Sequence, residues 1–523
     1  MSAIILTLYF CSGIAIMTYA VNCYVMLWLH KRKKECVLEQ YSGVEKLFSV
    51  EIDTNAPIVT TQIPIYNEYN VIERCLKAVC EIDYPKDKHE IQILDDSNDA
   101  TSGLIDLKVI ELRKEGYDIS VFRRKNRVGF KAGALAEAMV VCKGEYIAIF
   151  DADFKPEADF LKKVMPHFLN DKKTALVQTR WEHLNKNKSI LTQAQAIGID
   201  GHFTIEQSAR CWNGLFMNFN GTAGVWKKEA IESGGGWECD TLTEDMDLSY
   251  RVQLKGWKTV FLPNVSVPAE IPEDMRAFKS QQFRWAKGSI QTAIKLFSSI
   301  LKSDAGLFKK VQAWFHMTHY LIHPFMTLMS ILALPALLMS DLAMHKTLYY
   351  FLMISLAFSI MAPNALYCAS IYSLKKDKNW WKRLKYLPAL TVIGVGVAVN
   401  NTRAVIEAII GKESAFIRTP KSGDQKVVRY KVKLDKTMFV ELGLGLYSML
   451  SLYLFYNEGK YMISPFMAVY SIGFTYVGLR SMFETLKEYK NNNEVIAQNK
   501  LSAQITNSSD LDVGVFSEST LTN

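Results

Sequence analysis

Long apolar runs near both ends of the chain most restrict the folds open to it. Residues 3–29 contain no acidic or basic side chain, and a basic stretch of residues 30–34 follows them. A helix needs about 20 such residues to cross the hydrocarbon core of a bilayer. A cleaved signal peptide carries its positive charge before a shorter apolar core. We therefore interpret residues 1–34 as a retained transmembrane anchor whose C-terminal end is cytoplasmic.

Four further runs are long enough to span a bilayer. They are residues 314–339, 347–372, 437–456 and 461–482. Residues 386–410 are different, because Asn400, Asn401 and Arg403 interrupt the apolar stretch and basic residues flank both of its ends. A single span could not keep both basic flanks in the cytoplasm, so this stretch is expected to be interfacial or re-entrant. We predict five spans, with the N-terminus outside and the C-terminus inside.

Charge and cysteine usage narrow the class of partners. The formal net charge is +8, and much of it lies in loops next to the apolar runs. Such a distribution indicates contact with anionic membrane lipid, and no nucleic-acid-binding motif accompanies it. The nine cysteines form no Cys-x-x-Cys pair, which is typical of a reduced cytosolic domain without structural zinc or disulfides.

Residues 50–310 have the composition of a globular domain and lie between the anchor and the later spans. Short apolar runs at 58–63, 91–94, 119–122 and 146–150 alternate with helical patterns at 70–82, 101–115 and 131–142. Alternation of strands and helices predicts a Rossmann-like α/β domain with a parallel sheet, inserted between transmembrane α-helices. Residues 311–485 would form the remaining membrane and interfacial helices, and residues 490–523 read as a disordered polar tail.

Ligands of parallel α/β sheets bind beyond the carboxyl ends of the strands. The first apolar run is followed by Pro64, Tyr66 and Glu68, and the second by Asp95 and Asp96. A carboxylate at the second position could accept hydrogen bonds from a base or a ribose. The alternative is an Asx-type turn before a helix.

Asp151 and Asp153 follow the fourth run two residues apart, so both point the same way while extended geometry lasts. Paired carboxylate oxygens suit Mg²⁺ or Mn²⁺ that carries a nucleotide diphosphate. Lys131 enters a helix just after a glycine and could hold phosphate or ribose, although an ordinary basic helix start explains the pattern nearly as well.

Two later motifs offer a base and a sugar-binding face. Asp245 follows Thr243 and Glu244 at a helix start, where a carboxylate could take the proton of an attacking hydroxyl. Capping by Thr243 with acids in the first turn explains the same pattern. Three side chains share one helical face, where Arg suits a diphosphate and Trp a sugar ring, although an interfacial helix would also use them. They are Gln281, Arg284 and Trp285.

Taken in this order, the motifs resemble the processive, membrane-integrated family 2 glycosyltransferases, which include cellulose, mannan, hyaluronan and chitin synthases. The resemblance covers residues 55–435. Three further stretches are most similar to the cellulose synthase-like mannan and glucan synthases. They are residues 178–181 (QTRW), 219–224 (FNGTAG) and 241–250 (TLTEDMDLSY).

The resemblance implies a cytoplasmic GT-A catalytic domain, an inverting mechanism and a channel for the product. Asp95 or Asp96 would contact the nucleotide, and Asp151 with Asp153 the metal and diphosphate. Asp245 would be the base, beside Glu244. Residues that hold the diphosphate and the acceptor would be Asn220, Gly221, Thr222, Gln281, Arg284 and Trp285. Cellulose synthases typically carry Cys at the position of Asn220, so the acceptor geometry is expected to differ here.

Residues 412–436 include a stretch, Phe416–Lys421, that is similar to the gating loop of cellulose synthases. The resemblance implies that Thr419 and Lys421 belong to a loop that closes over the nucleotide. Such a loop must be cytoplasmic, which agrees with the charge argument for five spans.

We therefore expect transfer of glucose or mannose from a UDP- or GDP-hexose to a growing β-glycan, with export of the glycan through the membrane helices. A lipid-directed transferase that makes a short glycolipid is the close alternative, because the same site would serve it. A non-catalytic export channel is the alternative of another class. The expected location is a plasma, inner or Golgi membrane.

Overall fold

The computed structural model describes residues 2–343, 346–375, 379–414, 423 and 435–513. Within these residues one mixed sheet has the strand order β3-β2-β1-β4-β6-β5-β7. The strands are β1 (Val59–Ile65), β2 (His89–Asp95), β3 (Asp118–Phe122), β4 (Tyr146–Ile149), β5 (Thr174–His183), β6 (Gly224–Lys227) and β7 (Lys258–Ala269). The four strands predicted from the sequence are present and parallel to one another.

Strand β6 is the member that runs the other way. It pairs antiparallel with both β4 and β5, while β5 pairs parallel with β7. Strands β4 and β5 therefore point in the same direction, and the carboxyl ends of six strands meet at one edge. The predicted parallel sheet is thus a mixed sheet, and its edge of strand ends is wider than the four predicted strands alone would make it.

Helices cover both faces of the sheet and continue into the apolar segments. Those of the globular part are α2 (Ile72–Cys80), α3 (Thr101–Lys114), α4 (Phe130–Met139), α5 (Phe160–Asn170), α6 (Ile190–Gly201), α7 (Ser208–Trp212), α8 (Lys228–Ser233), α9 (Glu244–Leu254) and α10 (Met275–Lys302). The remaining ones are α1 (Ser2–Thr54), α11 (Leu307–Thr318), α12 (Ile322–Ala343), α13 (Lys346–Ser373), α14 (Leu387–Gly396), α15 (Ala398–Ile409), α16 (Thr437–Asn457) and α17 (Ser464–Val513).

Two apolar clusters hold the globular part together, one on each face of the sheet. Ile63, Ile91 and Phe150 pack against Phe160 of α5 on one face. On the other face Ile147 and Ile149 pack with Leu135 of α4, among other buried side chains. Adjacent residues of β4 thus bury their side chains on opposite faces, as strand geometry requires.

Among the described residues, four helical segments are long and apolar enough to cross a membrane. They are Ala3–Val50, Leu307–Leu338, Met353–Ser373 and Thr437–Asn457. The chain is therefore a multi-pass membrane protein. Helix α1 extends well beyond the predicted anchor and packs against α5 and α7, so the anchor and the globular part share one continuous helix.

The predicted span 461–482 lies in α17, which is not among those four segments. Helix α17 packs along α16 and α14. At these crossings Gly445 lies against Thr475 and Gly473 against Gly396. A helix shielded by neighbours can carry small and polar residues that lower its mean hydropathy, as small residues let helix backbones approach closely.

Residues 386–410 form α14 and α15, which meet at a 43° bend and together give either a broken span or a re-entrant segment. The interfacial interpretation of this stretch stays a prediction. The polar tail shows a difference as well, because α17 continues to Val513 although disorder is expected from about residue 490. Extending an existing helix needs no new nucleus, so polar residues can prolong it without a core.

Candidate functional site

One pocket opens at the edge where the carboxyl ends of the strands meet. Most of the residues singled out in the sequence line it. They are Pro64, Tyr66, Glu68, Asp96, Lys131, Asp151, Asp153, Asn220, Gly221, Glu244, Asp245, Gln281, Arg284 and Trp285. They come from segments more than 200 residues apart, so the fold brings together what the sequence keeps separate.

Asp151 and Asp153 lie in a turn, not in the strand. Strand β4 ends at Ile149, and the Phe154 N–H donates to the Asp151 carbonyl at 3.0 Å. The extended geometry assumed from the sequence is therefore wrong, although both side chains still line the pocket. Asp153 is buried and its Oδ2 accepts from the Glu270 N–H at 3.1 Å. Asp151 stays 37% exposed.

Lys131 lies between two groups of carboxylates. Its ammonium donates to Asp151 Oδ1 at 2.5 Å and to the Gly221 carbonyl at 2.8 Å. Burial would lower the pKa of Lys131, but the nearby charges of Asp151, Glu244 and Asp245 outweigh burial and raise it. Lys131 is therefore a fixed cation of the pocket, held by the acids around it.

Glu244 and Asp245 begin helix α9 at the pocket wall. Burial raises the pKa of Asp245, and the adjacent charge of Glu244 raises it further. The pKa of Glu244 is also raised by burial, although Lys131 opposes the shift. Two neighbouring carboxyls that both resist ionisation compete for one negative charge, so one of them is a strong proton acceptor.

The capping alternative predicted the position of Thr243 correctly but not a hydrogen bond from its side chain. Thr243 is the residue before α9, but its side chain makes no capping hydrogen bond to the helix. Its hydroxyl lies 3.2 Å from that of Thr292. Asp247 is the acid that serves the helix, because it pairs with Arg251 of the following turn at 2.8 Å. Asp245 remains at the pocket.

Asp95 and Asp96 are adjacent but differently placed. Asp95 does not line the pocket, and its carboxylate accepts from the Ser97 N–H, the Ser102 hydroxyl and the Arg123 guanidinium at 2.7–3.0 Å. The Asx-type turn considered from the sequence thus describes Asp95. Asp96 lines the pocket and pairs with Arg124 at 2.5 Å.

The segment 220–222 divides in the same way. The hydroxyl of Thr222 accepts the Asp151 N–H at 2.9 Å, and this residue is fully buried outside the pocket lining. Gly221 lies in the left-handed region at φ 81°, and a Cβ there would come 3.1 Å from Asp245 Oδ2. Asn220 lines the pocket, and its neighbour Gly221 lies close to Asp245.

Helix α10 presents three predicted side chains to the pocket. Trp285 packs on a cluster that includes Tyr320 and Ala404. Gln281 Oε1 is buried without a hydrogen-bond partner among the described residues. A buried unpaired acceptor is costly, so this oxygen suits a donor that a ligand would bring. The helical face predicted from the spacing is confirmed.

The pocket also contains residues of β5 and β7 that were not predicted as site residues, although Trp181 belongs to the stretch 178–181 noted for its resemblance. Trp181, Glu182 and His183 stand at the end of β5, and Glu270 follows β7. A register shift between Thr179 and Arg180 separates them from the regular part of β5. The strand-end rule would have found them had these two strands been recognised. Arg127 also lines the pocket, with its guanidinium 3.2 Å from the ring centre of Tyr66.

The predicted gating residues Thr419 and Lys421 lie outside the described residues. Gly423, which is described, donates its N–H to Glu270 Oε2 at 3.2 Å. This contact places one point of segment 412–436 beside the pocket rim.

The acids of the Asp151 turn fit a divalent cation. Asp151 offers a partly exposed carboxylate, Asp153 lies beside it in the same lining, and the Lys131 ammonium already binds Asp151. Hard carboxylate oxygens are the donors that Mg²⁺ and Mn²⁺ prefer.

Two family profiles match the sequence. The profile described as Glycosyltransferase like family 2 matches residues 56–288, and the one described as Cellulose synthase matches residues 223–451.

Several curated proteins are similar over most of their length. Glucomannan 4-beta-mannosyltransferase 9 of Arabidopsis thaliana is 33% identical over 423 residues, covering 76% of this chain and 76% of the relative. Probable glucomannan 4-beta-mannosyltransferase 11 of the same plant is 36% identical over 387 residues, covering 71% of this chain and 86% of the relative. Among solved structures, mannosyltransferase PcManGT from Pyrobaculum calidifontis, in complex with GDP-Man and Mn²⁺, is 18% identical with a TM-score of 0.44, covering 76% of this chain and all of that chain.

Proposed function

Because the chain belongs to the cellulose synthase-like glycosyltransferases of family 2 and is therefore a hexosyltransferase, we propose that it transfers mannose from a nucleotide sugar to the end of a β-1,4-linked mannan or glucomannan. The names of its relatives support mannose as the sugar and a β-1,4 linkage. Membership in an enzyme family contradicts the alternative of a non-catalytic channel. A GDP-linked donor and a UDP-linked donor remain the two candidates for the nucleotide.

One observation carries the proposal. Asp151 and Glu244–Asp245 flank the same lysine in one pocket, which also holds the Arg and Trp of α10. Sugar transfer needs a place for a diphosphate and a carboxylate within reach of an acceptor hydroxyl. The pocket thus combines cations, acids that could hold a metal ion, and a carboxylate that could accept a proton.

In the proposed reaction the acceptor hydroxyl gives its proton to the carboxylate of Asp245. The oxygen of the acceptor hydroxyl then forms a bond to the anomeric carbon of the donor sugar, while the bond from that carbon to the diphosphate oxygen breaks. Attack opposite to the leaving group inverts the anomeric centre. Burial raises the pKa of Asp245, which strengthens it as a base.

Negative charge develops on the departing diphosphate. Lys131 and Arg284 line the pocket as cations, and Asp151 and Asp153 would hold a divalent ion there. When bound, Mg²⁺ or Mn²⁺ supplies electrostatic stabilisation of that charge. We place this domain on the cytoplasmic side, where nucleotide sugars are made, with the glycan leaving through the membrane helices.

The test uses the purified full chain in lipid nanodiscs with GDP-mannose, UDP-glucose, GDP-glucose and UDP-GlcNAc, each with β-1,4-mannohexaose. We expect mannose transfer that stops on removal of divalent ions with EDTA and returns with Mn²⁺ or Mg²⁺. Asp245→Asn should lower the rate by about 10²- to 10⁴-fold, the usual contribution of a general base.

The product identifies the acceptor class. A polymer cut by a β-mannanase supports the proposal, whereas a short glycolipid extracted into organic solvent supports the lipid-directed alternative. Full activity of Asp245→Asn, or exclusive use of UDP-GlcNAc, would contradict it.

A further inference from the structure

A histidine of a π-helical turn contacts the side chain of Asn220, and a glutamate of the same turn contacts that histidine. The turn, His202–Gln207, links α6 to α7. His202 Nε2 lies 3.0 Å from Asn220 Oδ1, and His202 Nδ1 lies 3.0 Å from Glu206 Oε2. Wide turns of this kind occur often at functional sites. The turn thus connects to the pocket through the Asn220 side chain.

A second contact shows which atom of the Asn220 amide is already hydrogen-bonded. Asn218 Nδ2 donates to Asn220 Oδ1 at 3.2 Å and to the Phe219 carbonyl at 2.9 Å, so Asn218 cannot be turned around without losing both bonds. Two donors therefore converge on Asn220 Oδ1. The amide nitrogen, Nδ2, is left on the other side of the group.

The nitrogen of Asn220 is a donor without an acceptor. Asn220 Nδ2 is buried and has no hydrogen-bond partner among the described residues, while Asn220 lines the pocket beside Gly221. A Cβ on Gly221 would touch Asp245, so the nitrogen and the proposed base belong to the same end of the pocket. An unpaired buried N–H is costly, and a hydroxyl oxygen of a bound sugar would satisfy it.

Glu206 determines which ring nitrogen of His202 donates a hydrogen bond to it. A carboxylate only accepts hydrogen bonds, so His202 Nδ1 donates to Glu206. The other ring nitrogen, Nε2, lies 3.0 Å from Asn220 Oδ1, so the ring links Glu206 to Asn220. Glu206 holds the ring in the plane that reaches Asn220. The pair therefore fixes both the position and the polarity of the amide.

We propose that His202 and Glu206 are positioning residues, which orient Asn220 so that its Nδ2 donates to a hydroxyl oxygen of the terminal sugar of the acceptor glycan. This inference rests on the proposed function and extends it to the recognition of the acceptor. The ligand is a hexose of a β-linked glycan.

The experiment separates acceptor binding from donor chemistry. Initial rates are measured with GDP-mannose and increasing β-1,4-mannohexaose, and hydrolysis of GDP-mannose is measured without acceptor. Loss of one hydrogen bond should raise the acceptor KM of Asn220→Ala and His202→Ala about five- to tenfold. Donor KM should change far less than acceptor KM. Glu206→Gln, which is isosteric, should give an intermediate increase.

Two further variants distinguish positioning from general damage. His202→Gln keeps an N–H donor toward Asn220 and should recover most of the acceptor affinity that His202→Ala loses. Ser208→Ala changes a buried hydroxyl of α7 without a partner among the described residues, and it should leave both constants unchanged.

An unchanged acceptor KM in Asn220→Ala would overturn the inference, and so would equal losses of transfer and hydrolysis in every variant. If His202→Ala does not elute as a single species, Glu206→Gln and Asn220→Ala decide. If the parent chain ignores GDP-mannose but uses another donor of the panel, the proposed mannosyl transfer fails. The same variants are then measured with that donor and a matching β-linked oligosaccharide.

Discussion

Neighbours decide the role of each acidic side chain in the pocket. Asp95 and Asp96 are adjacent, yet the first is enclosed by hydrogen bonds of a turn and the second faces the pocket. Asp245 and Asp247 begin the same helix, but Asp247 pairs with Arg251. Asp245 lines the pocket and Asp247 does not, so the surroundings of each carboxylate and not the motif indicate the base.

Replacement of Glu244 by Gln should move the acid limb of the transfer rate to lower pH. The base works when ionised, so the rate falls as pH drops through the raised pKa of Asp245. After burial, the charge of Glu244 is the next cause that raises it, and Glu244→Gln removes that charge. The pH dependence of kcat at saturating substrates measures the shift. Glu111→Gln, an exposed residue of α3, is the control, and a limb that moves to higher pH would contradict the assignment.

A methyl group on Gly221 should impair the reaction more than the fold. Gly221→Ala forces a left-handed φ of 81° on alanine and places Cβ 3.1 Å from Asp245 Oδ2. The backbone strain costs about 1–2 kcal/mol. Gly214→Ala has the same strain, at φ 65°, with nothing within 4 Å. We expect similar thermal unfolding midpoints for the two variants and at least tenfold lower kcat for Gly221→Ala alone. Equal kcat values would show that the position beside Asp245 does not matter.

Helix α10 is the element that ties the pocket to the membrane helices. Its Lys279 is buried and binds Asp435 and Glu441 at 2.6 Å each. Its Lys287, also buried, donates to the Lys412 carbonyl and the Ser414 hydroxyl at 2.5 Å. These two lysines thus bind α10 to two other segments of the chain, Lys287 to residues 412–414 and Lys279 to residues 435–441. Helix α10 also carries the pocket residues Gln281, Arg284 and Trp285. The position of the pocket face depends on both.

Lys279→Met should destabilise the protein strongly. Glu441 is fully buried, and without the lysine its charge has lost its partner. Breaking a buried pair in this way costs about 3 kcal/mol or more. The midpoint of thermal unfolding in detergent measures the loss. Lys108→Met removes two surface ion pairs, with Glu73 and Glu111, in which the lysine is 29% exposed, and it should change the midpoint little. Equal midpoints for both variants would refute the buried pair as a support.

At the scale of the whole molecule, the globular part and the membrane part share ion pairs as well as helices. Asp200 of α6 accepts from Arg383 at 2.8 Å and lies 3.2 Å from His183 Nε2. Arg383 belongs to the turn that precedes α14, and His183 ends β5 at the pocket. This buried carboxylate therefore connects the sheet edge to the segment 380–410.

The contribution of Asp200 to stability should disappear in acid. Burial would raise its pKa, but the bonds to His183 and Arg383 outweigh burial and lower it from 3.8 to about 2. A carboxyl whose pKa is lower in the folded state than in the unfolded state stabilises the fold at pH values above the unfolded pKa. This stabilisation is lost as the pH falls through the folded pKa. The shift corresponds to about 2 kcal/mol. Asp200→Asn should thus be less stable than the parent at pH 6, with the difference narrowing below about pH 4 in urea unfolding. A constant difference would contradict this account.

Features that belong to a single segment were predictable from the sequence. Four strands, their intervening helices and the helical face of Gln281, Arg284 and Trp285 were predicted because periodicity and strand ends are local properties. Features that depend on strand pairing between distant segments were not predicted. Strands β5 and β7 and the reversal of β6 depend on partners far along the chain, and so do the pocket residues Trp181, His183 and Glu270.

Three local features of the sequence were enough to predict the class of the protein: apolar runs long enough for a membrane, an α/β pattern between them, and acids in an order that resembles one enzyme family. Packing in three dimensions shows which of these residues face the pocket. Asp95, Thr222 and Asp247 lie outside its lining and bind neighbours, whereas Asp151 and Asp245 line it together with Lys131. Hydrogen bonding and burial depend on groups that are distant in sequence. A motif therefore indicates possible site residues, and the contacts in the folded protein show which of them line the pocket.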